Sequence, residues 1–181
     1  NRRLGLSNIK GPILLTGHTG FKGTWLTFLL EELGIPVIGF SLPPLNQSLY
    51  QRANRHGKIP EVFGDVRDLK LVKKTFQEFQ PTCVIHMAAQ PLVIESYKDP
   101  ILTFDTNVLG TANVLEVATT TESVRTIACI TTDKVYQNSN ENIKFHEGDI
   151  LRGTDPYSTS KVAAESVIDA WRNLANGRNG A

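Results

Sequence analysis

The 181-residue chain is 40% hydrophobic and 20% charged, with a formal net charge of +1, the balance of an ordinary soluble domain large enough for one core. That near-neutral charge gives no electrostatic case for a nucleic-acid or membrane partner, and no apolar run approaches the ~18 residues of a membrane span. The opening NRRLGLSNIKG lacks the apolar stretch of a signal peptide, so a reducing, cytoplasmic setting is expected.

In chain order, Ile13–Thr16 reads as a first strand, followed by a helix over about Lys22–Leu33 with Leu26, Leu29, Leu30 and Leu33 on one face. Gly34 stops it, and PVIGFSL reads as strand two. LPPLNQ is a loop and Leu49–Arg55 a short helix. PEVFGD supplies strand three, and Leu69, Val72, Phe76 and Phe79 mark the next helix face. CVIHMA is strand four. Asp99-Pro100 reads as an N-cap with proline at the first helical position, opening a helix through Ile101, Phe104, Val108, Ala112 and Leu115. RTIACITT is strand five, Lys134 to Pro156 a loop, and Tyr157 to Leu174 the last helix, with Ala163, Val167, Ala170, Trp171 and Leu174 inward. Five strands alternating with crossovers predict an α/β fold, a Rossmann-like doubly wound parallel sheet. The domain spans residues 13–175, between an extension over 1–12 and a frayed, glycine- and asparagine-rich tail over 176–181.

Cys83 and Cys129 each fall in a strand read as buried, which points to small core thiols rather than a disulfide, and the four histidines show no metal-ligand spacing.

Three glycines, Gly17, Gly20 and Gly23, stand between strand one and its helix. A helix N-terminus offers free N–H groups and partial positive charge, and glycines let backbone approach a pyrophosphate without a Cβ. The spacing G-x-x-G-x-x-G differs from the usual dinucleotide fingerprint, and an ordinary turn with close helix packing is the competing reading. An acid at the end of strand two would hold an NAD ribose. Ser41 and Leu42 stand there instead; Ser41 is counted among the cofactor residues, and the choice between NAD and NADP stays open. After strand three, Asp65-Val66 could frame adenine, or Asp65 or Asp68 could cap the following helix.

Tyr157 and Lys161 are four apart at a helix start and so share a face. An ammonium beside a phenol favours the phenolate, which suits a tyrosine to act as a base, although a lone Y-x-x-x-K is equally accounted for by an exposed helix pair. Thr132, Asp133 and Lys134 follow strand five, at the carboxyl edge where open α/β sheets bind ligands, although a solvated turn would also account for Asp133-Lys134.

The segments TGHTGFKG (16–23), HMAAQPLV (86–93), TNVLGT (106–111), TTDKVY (131–136) and DPYSTSK (155–161) occur in this order, and together they resemble the extended short-chain dehydrogenase/reductase family. TGHTGFKGTWL and TTDK are most similar to its CDP-glucose 4,6-dehydratase branch. The resemblance implies NAD as cofactor and a nucleotide sugar, CDP-glucose in that branch, as substrate. It implies that Tyr157 deprotonates the sugar 4-hydroxyl, Thr132 hydrogen-bonds the same oxygen, and Lys161 binds the nicotinamide ribose. Asp133 would be the acid and Lys134 the base of water elimination across carbons 5 and 6, giving a 4-keto-6-deoxy sugar. A lysine base must be partly neutral, which calls for burial or a cationic neighbour. The resemblance also sets Gly17, Phe21 and Lys22 near pyrophosphate, Asp65 and Val66 near adenine, and Ala88, Ala89 and Gln90 along the dinucleotide. His18 would reach phosphate or serve as a plain loop residue. Asn107 would support the strand-five edge. His86 reads as structural.

Family members are longer, with a small C-terminal domain gripping the nucleotide sugar, so the chain is expected to be truncated before it. LVIESY carries Ile94-Glu95 where similar dehydratases tend to carry arginine. A homodimer through helices at about Pro100–Thr119 and Tyr157–Leu174 is implied. A non-catalytic dinucleotide-binding module, and an epimerase or reductase of the same fold, remain alternatives.

Overall fold

The computed structural model describes residues 11–138 and 144–179. Strand β1 (Ile13–Thr16) leads through the glycine turn into α1 (Phe21–Glu32). There follow β2 (Val37–Ser41), α2 (Leu49–Arg52), β3 (Glu61–Phe63), α3 (Leu69–Phe79) and β4 (Cys83–His86). Two short helices, α4 (Val93–Lys98) and α5 (Pro100–Phe104), precede a π turn at Asp105–Leu109 and α6 (Gly110–Thr120). Strand β5 (Thr126–Cys129), a single 3-10 turn (Asp133–Val135) and α7 (Pro156–Asn179) complete the order.

All five strands pair in parallel, in the order β3-β2-β1-β4-β5. β1 lies at the centre, with Ile13 opposite Val37 on one side and Cys83 on the other. Strand order reverses between β1 and β4, which makes their carboxyl ends the topological switch point. Side chains alternate across a strand. Ile13 and Leu15 therefore join Leu30, Val37 and Cys83 on the α1 face. Leu14 faces the other core, with Phe40, Val84, Val72 and Phe76 of α3, and Val114 and Val117 of α6.

The expected leucine face of α1 is only half inward: Leu30 is in the core and Leu26 packs against it, but Leu29 and Leu33 are not covered. Gly23, Thr24, Thr27 and Leu30 are buried, while Leu29 and Leu33 are exposed beside Phe21 and Trp25. The roll of this helix is set by backbone contact: a Cβ on Gly23 would overlap the Gly17 carbonyl and sit 2.8 Å from His18 Cα. The glycine face must therefore turn inward, whatever the leucine pattern prefers. On α7 the buried residues are Tyr157, Ser158, Ser160, Lys161 and Ala164, and Ala170 and Leu174 are exposed. β5 is buried less than expected: Thr126 and Ala128 are exposed and Cys129 is half-buried, because among the described residues β5 is an edge strand. Both cysteines are free thiols.

Asp99 caps α5 as expected, accepting the Leu102 N–H with Pro100 in the first turn. The helix read from there to Leu115 is interrupted by the π turn, and α4 lies in a stretch assigned no element. α7 continues through Asn179, past the expected end of the domain at 175. Residues 1–10 of the expected extension, and the last two of the tail, lie outside the described residues. Among the described residues no helix is long and apolar enough to cross a membrane, and no cluster of His, Cys, Asp or Glu could hold a metal.

Candidate active site

A cleft of about 790 Å³ lies beyond the carboxyl ends of β1 and β4. Gly17, Gly20, Phe21, Lys22, Gly23, Ser41, Asp65, Val66, Ala88, Ala89, Gln90, Tyr157 and Lys161 all line it. The structure thus gathers most of the sequence-predicted residues on one wall-to-wall surface. His18, Asn107, Thr132, Asp133 and Lys134 are not among its lining.

Each glycine has a different reason. Gly17 has φ +77°, and a Cβ there would stand 2.8 Å from the Ala88 nitrogen. Gly23 seats α1. Gly20 is exposed to the cleft, where an added Cβ would meet only the Gly17 carbonyl, at 3.3 Å. Gly20 caps α1 in extended backbone with no side-chain cap, and the first turn holds no acidic residue. Open N–H groups and an uncovered helix dipole therefore face the cleft, a cradle suited to a phosphate.

At the far wall, Thr19 Oγ1 shares a 2.7 Å hydrogen bond with Ser41 Oγ and donates to the Leu42 carbonyl. This fixes the end of β2 to the glycine loop. Asp68, not Asp65, caps α3, accepting the Lys70 and Leu71 N–H groups at 3.0 Å. Asp65 is instead gripped by Arg67, whose Nε and Nη2 donate to its carboxylate at 3.0 and 2.7 Å; these bonds hold the Asp65 carboxyl below its ordinary range. Arg67 lines the cleft and was not singled out in the sequence; its position two residues after Asp65 is the local signal.

His18 turns away from the cleft. It is fully buried over Gly39, with Nε2 3.2 Å from Glu61 Oε2. Burial lowers its pKa, opposed by Glu61. Burial favours a neutral Glu61, but hydrogen bonds from Tyr50, the Gly57 N–H and His18 outweigh it and keep its pKa low. His18 therefore clamps the glycine loop to β3 rather than reaching toward phosphate.

The β4 end is held by a buried chain of hydrogen bonds. Thr16 Oγ1 accepts the Met87 and Ala88 N–H groups at 3.0 and 3.1 Å, and lies 2.7 Å from His86 Nδ1. Thr111 spends its hydroxyl proton on the Asn107 carbonyl (2.7 Å), so His86 Nε2–H donates to Thr111 Oγ1 at 3.0 Å and Nδ1 accepts from Thr16. Asn107 does not brace β5. Because the π turn aims it inward, its Oδ1 accepts the Gln90 N–H (2.8 Å), and its Nδ2 donates to the Gln90 carbonyl (3.1 Å) and to Ser160 Oγ (2.9 Å). It joins the Ala88–Gln90 loop to α7.

Tyr157 and Lys161 are 8% and 5% exposed. The start of α7 is set by Asp155, which accepts both the N–H and the hydroxyl of Ser158, and by Ser96 Oγ of α4, which accepts the Tyr157 N–H at 3.1 Å. Burial lowers the Lys161 pKa, opposed by Cys129 and Glu165. On α4 itself, Ile94 is exposed and Glu95 pairs with Lys98 at 2.8 Å.

Thr132 caps the 3-10 turn, its hydroxyl accepting the Lys134 N–H at 3.3 Å and donating to Asp133 at 3.2 Å. Asp133 and Lys134 are exposed, and Val135 is the residue of the turn that points inward. The burial expected for Lys134 is not met, because a turn this short can bury one of its three side chains and the apolar one takes that place. The following loop is bracketed by a bridge between Tyr136 and Leu151.

Residues 14–177 match the family described as GDP-mannose 4,6 dehydratase. The CDP-glucose 4,6-dehydratase of Salmonella typhimurium is 41% identical over 162 residues, covering 89% of this chain and 45% of the relative. A dTDP-glucose 4,6-dehydratase of Xanthomonas campestris is 32% identical over 173 residues, covering 88% of this chain and 48% of the relative. Among solved structures, the UDP-glucose 4-epimerase of Thermus thermophilus in complex with NAD superposes with a TM-score of 0.80 at 30% identity, over 91% of this chain and 52% of that one. The chain thus spans about half the length of the proteins it matches.

Proposed function

Because the chain belongs to the GDP-mannose 4,6-dehydratase family, we propose that it forms the cofactor-binding half of an enzyme resembling CDP-glucose 4,6-dehydratase, in a reducing, cytoplasmic setting. The observation that carries this reading is the single cleft at the switch point, which holds the glycine cradle, Ala88–Gln90, Tyr157 and Lys161 together. The residues fit NAD: open N–H groups and Lys22 for the pyrophosphate, Asp65 and Val66 beside adenine, and Lys161 for the nicotinamide ribose. NAD, when bound, supplies a hydride acceptor that takes up the sugar's carbon-4 hydride and returns it at carbon 6.

The chain's own residues handle the protons. Tyr157 withdraws the proton of the sugar 4-hydroxyl, aided by the charge of Lys161, and Thr132 hydrogen-bonds that oxygen. A ketone at carbon 4 acidifies carbon 5. Lys134, exposed in the free chain and neutralised only once bound substrate encloses it, takes the carbon-5 proton, and Asp133 gives one to the departing 6-hydroxyl, so that water leaves; Lys134 then returns its proton to carbon 5 as hydride arrives at carbon 6. The substrate is a nucleotide sugar, with CDP-glucose favoured by Lys134, since related dehydratases usually carry Asp-Glu at the positions of Asp133 and Lys134.

Titration calorimetry of the chain with NAD, with NADP as control, tests the cofactor site. Mass spectrometry of CDP-glucose incubated with chain and NAD tests the chemistry through loss of water. NAD binding without turnover would favour a second reading, a non-catalytic dinucleotide module. One observation supports that reading: Thr132, Asp133 and Lys134 lie outside the cleft lining. A folded chain that binds no NAD overturns the cofactor site itself.

A further inference from the structure

One hydrogen bond joins the two chemical parts of the site through a residue given no role so far. Thr131 Oγ1 donates to Glu165 Oε1 at 2.5 Å. Thr131 lines the cleft and immediately precedes the Thr132–Lys134 segment. Glu165 is half-buried on α7, about one helical turn beyond Lys161 and two beyond Tyr157. The bond therefore ties the end of β5 to the helix that carries the tyrosine and lysine.

The same carboxylate acts on Lys161. The charged or titratable groups whose fields bear on Lys161 or its neighbour Cys129 are Cys129 of β5, His86 of β4, and Glu165 and Arg172 of α7. Burial pushes the Cys129 thiol up to about 11, so it is uncharged at neutral pH. Burial, with Lys161 adding to it, lowers His86 to about 3, so it too is neutral. Arg172 is a cation. Glu165 is the carboxylate in this set; it stands one helical turn from Lys161 without direct ion-pair contact, so it acts on the buried ammonium through its field.

We propose that Glu165 is a positioning residue that locks the Thr131–Lys134 turn onto the helix bearing Tyr157 and Lys161 and supplies the counter-charge of Lys161. The proposal rests on the reading of Tyr157 and Lys161 as the working pair of the site. It predicts that the geometric and electrostatic roles can be separated by mutation. Glu165→Gln keeps an oxygen for Thr131 and deletes the charge. Thr131→Val deletes the bond and keeps the charge.

Both variants are to be compared with the wild-type chain, without cofactor, by two measurements. In chain labelled with carbon-13 at lysine Cε, the Lys161 resonance (assigned by its loss in Lys161→Arg) is followed against pH. Glu165→Gln is expected to lower its midpoint by about one pH unit, and Thr131→Val to leave it in place. Hydrogen exchange of residues 130–136 is expected to quicken in Thr131→Val and to stay as in wild type in Glu165→Gln. A Lys161 midpoint that ignores Glu165→Gln, or an exchange rate that ignores Thr131→Val, overturns the proposal. A merely structural contact would lower thermal stability in both variants without splitting the two readouts. NAD titration of the wild-type chain separately tests the parent reading, so failure of one is distinguishable from failure of the other.

Discussion

Thr16 and His86, seventy residues apart in the chain, meet through a 2.7 Å hydrogen bond at the carboxyl ends of adjacent strands. The pair orients the backbone of Met87 and Ala88 along the cleft and carries the same buried chain of bonds to Thr111 and Asn107. The arrangement works with a neutral imidazole, since protonated Nδ1 could no longer accept from Thr16.

Stability should therefore depend on acid. The unfolded chain protonates this imidazole below its ordinary 6.5, whereas burial, then Lys161, delays protonation in the folded chain to about 3. The contribution is whole above 6.5 and drains away as pH falls from 6.5 toward 3, by up to a few kcal/mol. Urea unfolding between pH 7 and 4 should show this slope, and His86→Gln should flatten it.

Two glycines of one loop should respond differently to the same substitution. Gly23→Ala forces a methyl into the Gly17 carbonyl and the His18 backbone and should cost about 1–3 kcal/mol or more. Gly20→Ala meets only a 3.3 Å contact and should cost about 1 kcal/mol or less as a weaker helix cap. Its methyl faces the cleft, so NAD affinity should fall while the chain stays folded. Thermal melts paired with calorimetry distinguish the two.

Removing Asn107 should be more damaging than its lack of cleft surface implies. Asn107→Ala leaves the Gln90 N–H and carbonyl and the Ser160 hydroxyl each short of a partner. A loss of about 2–4 kcal/mol is expected by urea unfolding, with weaker NAD binding because Gln90 lines the cleft. Asn107→Asp keeps the acceptor for the Gln90 N–H and should fall between wild type and alanine.

Lys161 should show opposite effects on stability and function. Burial lowers its pKa, so charging it costs the folded state, and that cost is fully present at any pH below the folded value. Relief comes only as pH rises through the folded value toward 10.5. Lys161→Met should thus stabilise the chain at neutral pH, by about 0.5–2 kcal/mol, and weaken NAD binding. Differential scanning calorimetry with and without NAD reads both effects.

The parallel sheet was legible because β1, β2 and β4 are apolar runs closed by turn residues, and every cleft residue named in the glycine loop and after β3 and β4, His18 aside, follows a strand end. The π turn was not legible: TFDTNVLG carries a continuous helical pattern, and the extra residue that swings Asn107 inward leaves no mark in composition. α4 was hidden because LVIESYK is short and bracketed by prolines, yet its Ser96 seats Tyr157. Leu29 and Leu33 of α1 misled because apolar spacing predicts a buried face only where side chains, not backbone, govern the approach. The roles of His18 and Glu165 depend on partners 43 and 34 residues distant, which no local pattern encodes.

The central position of β1 also bears on synthesis. Of the five described strands a ribosome delivers this one first, and β2 soon covers one edge. Its second edge waits for β4, roughly seventy residues and some 4–14 seconds of translation later. Through that interval Ile13–Thr16 presents an unpaired edge of backbone N–H and C=O groups flanked by side chains that are all buried in the finished fold. The pace of translation across the intervening codons, and the availability of a chaperone to shield that border, should therefore govern the yield of soluble chain as much as the energetics of the finished fold.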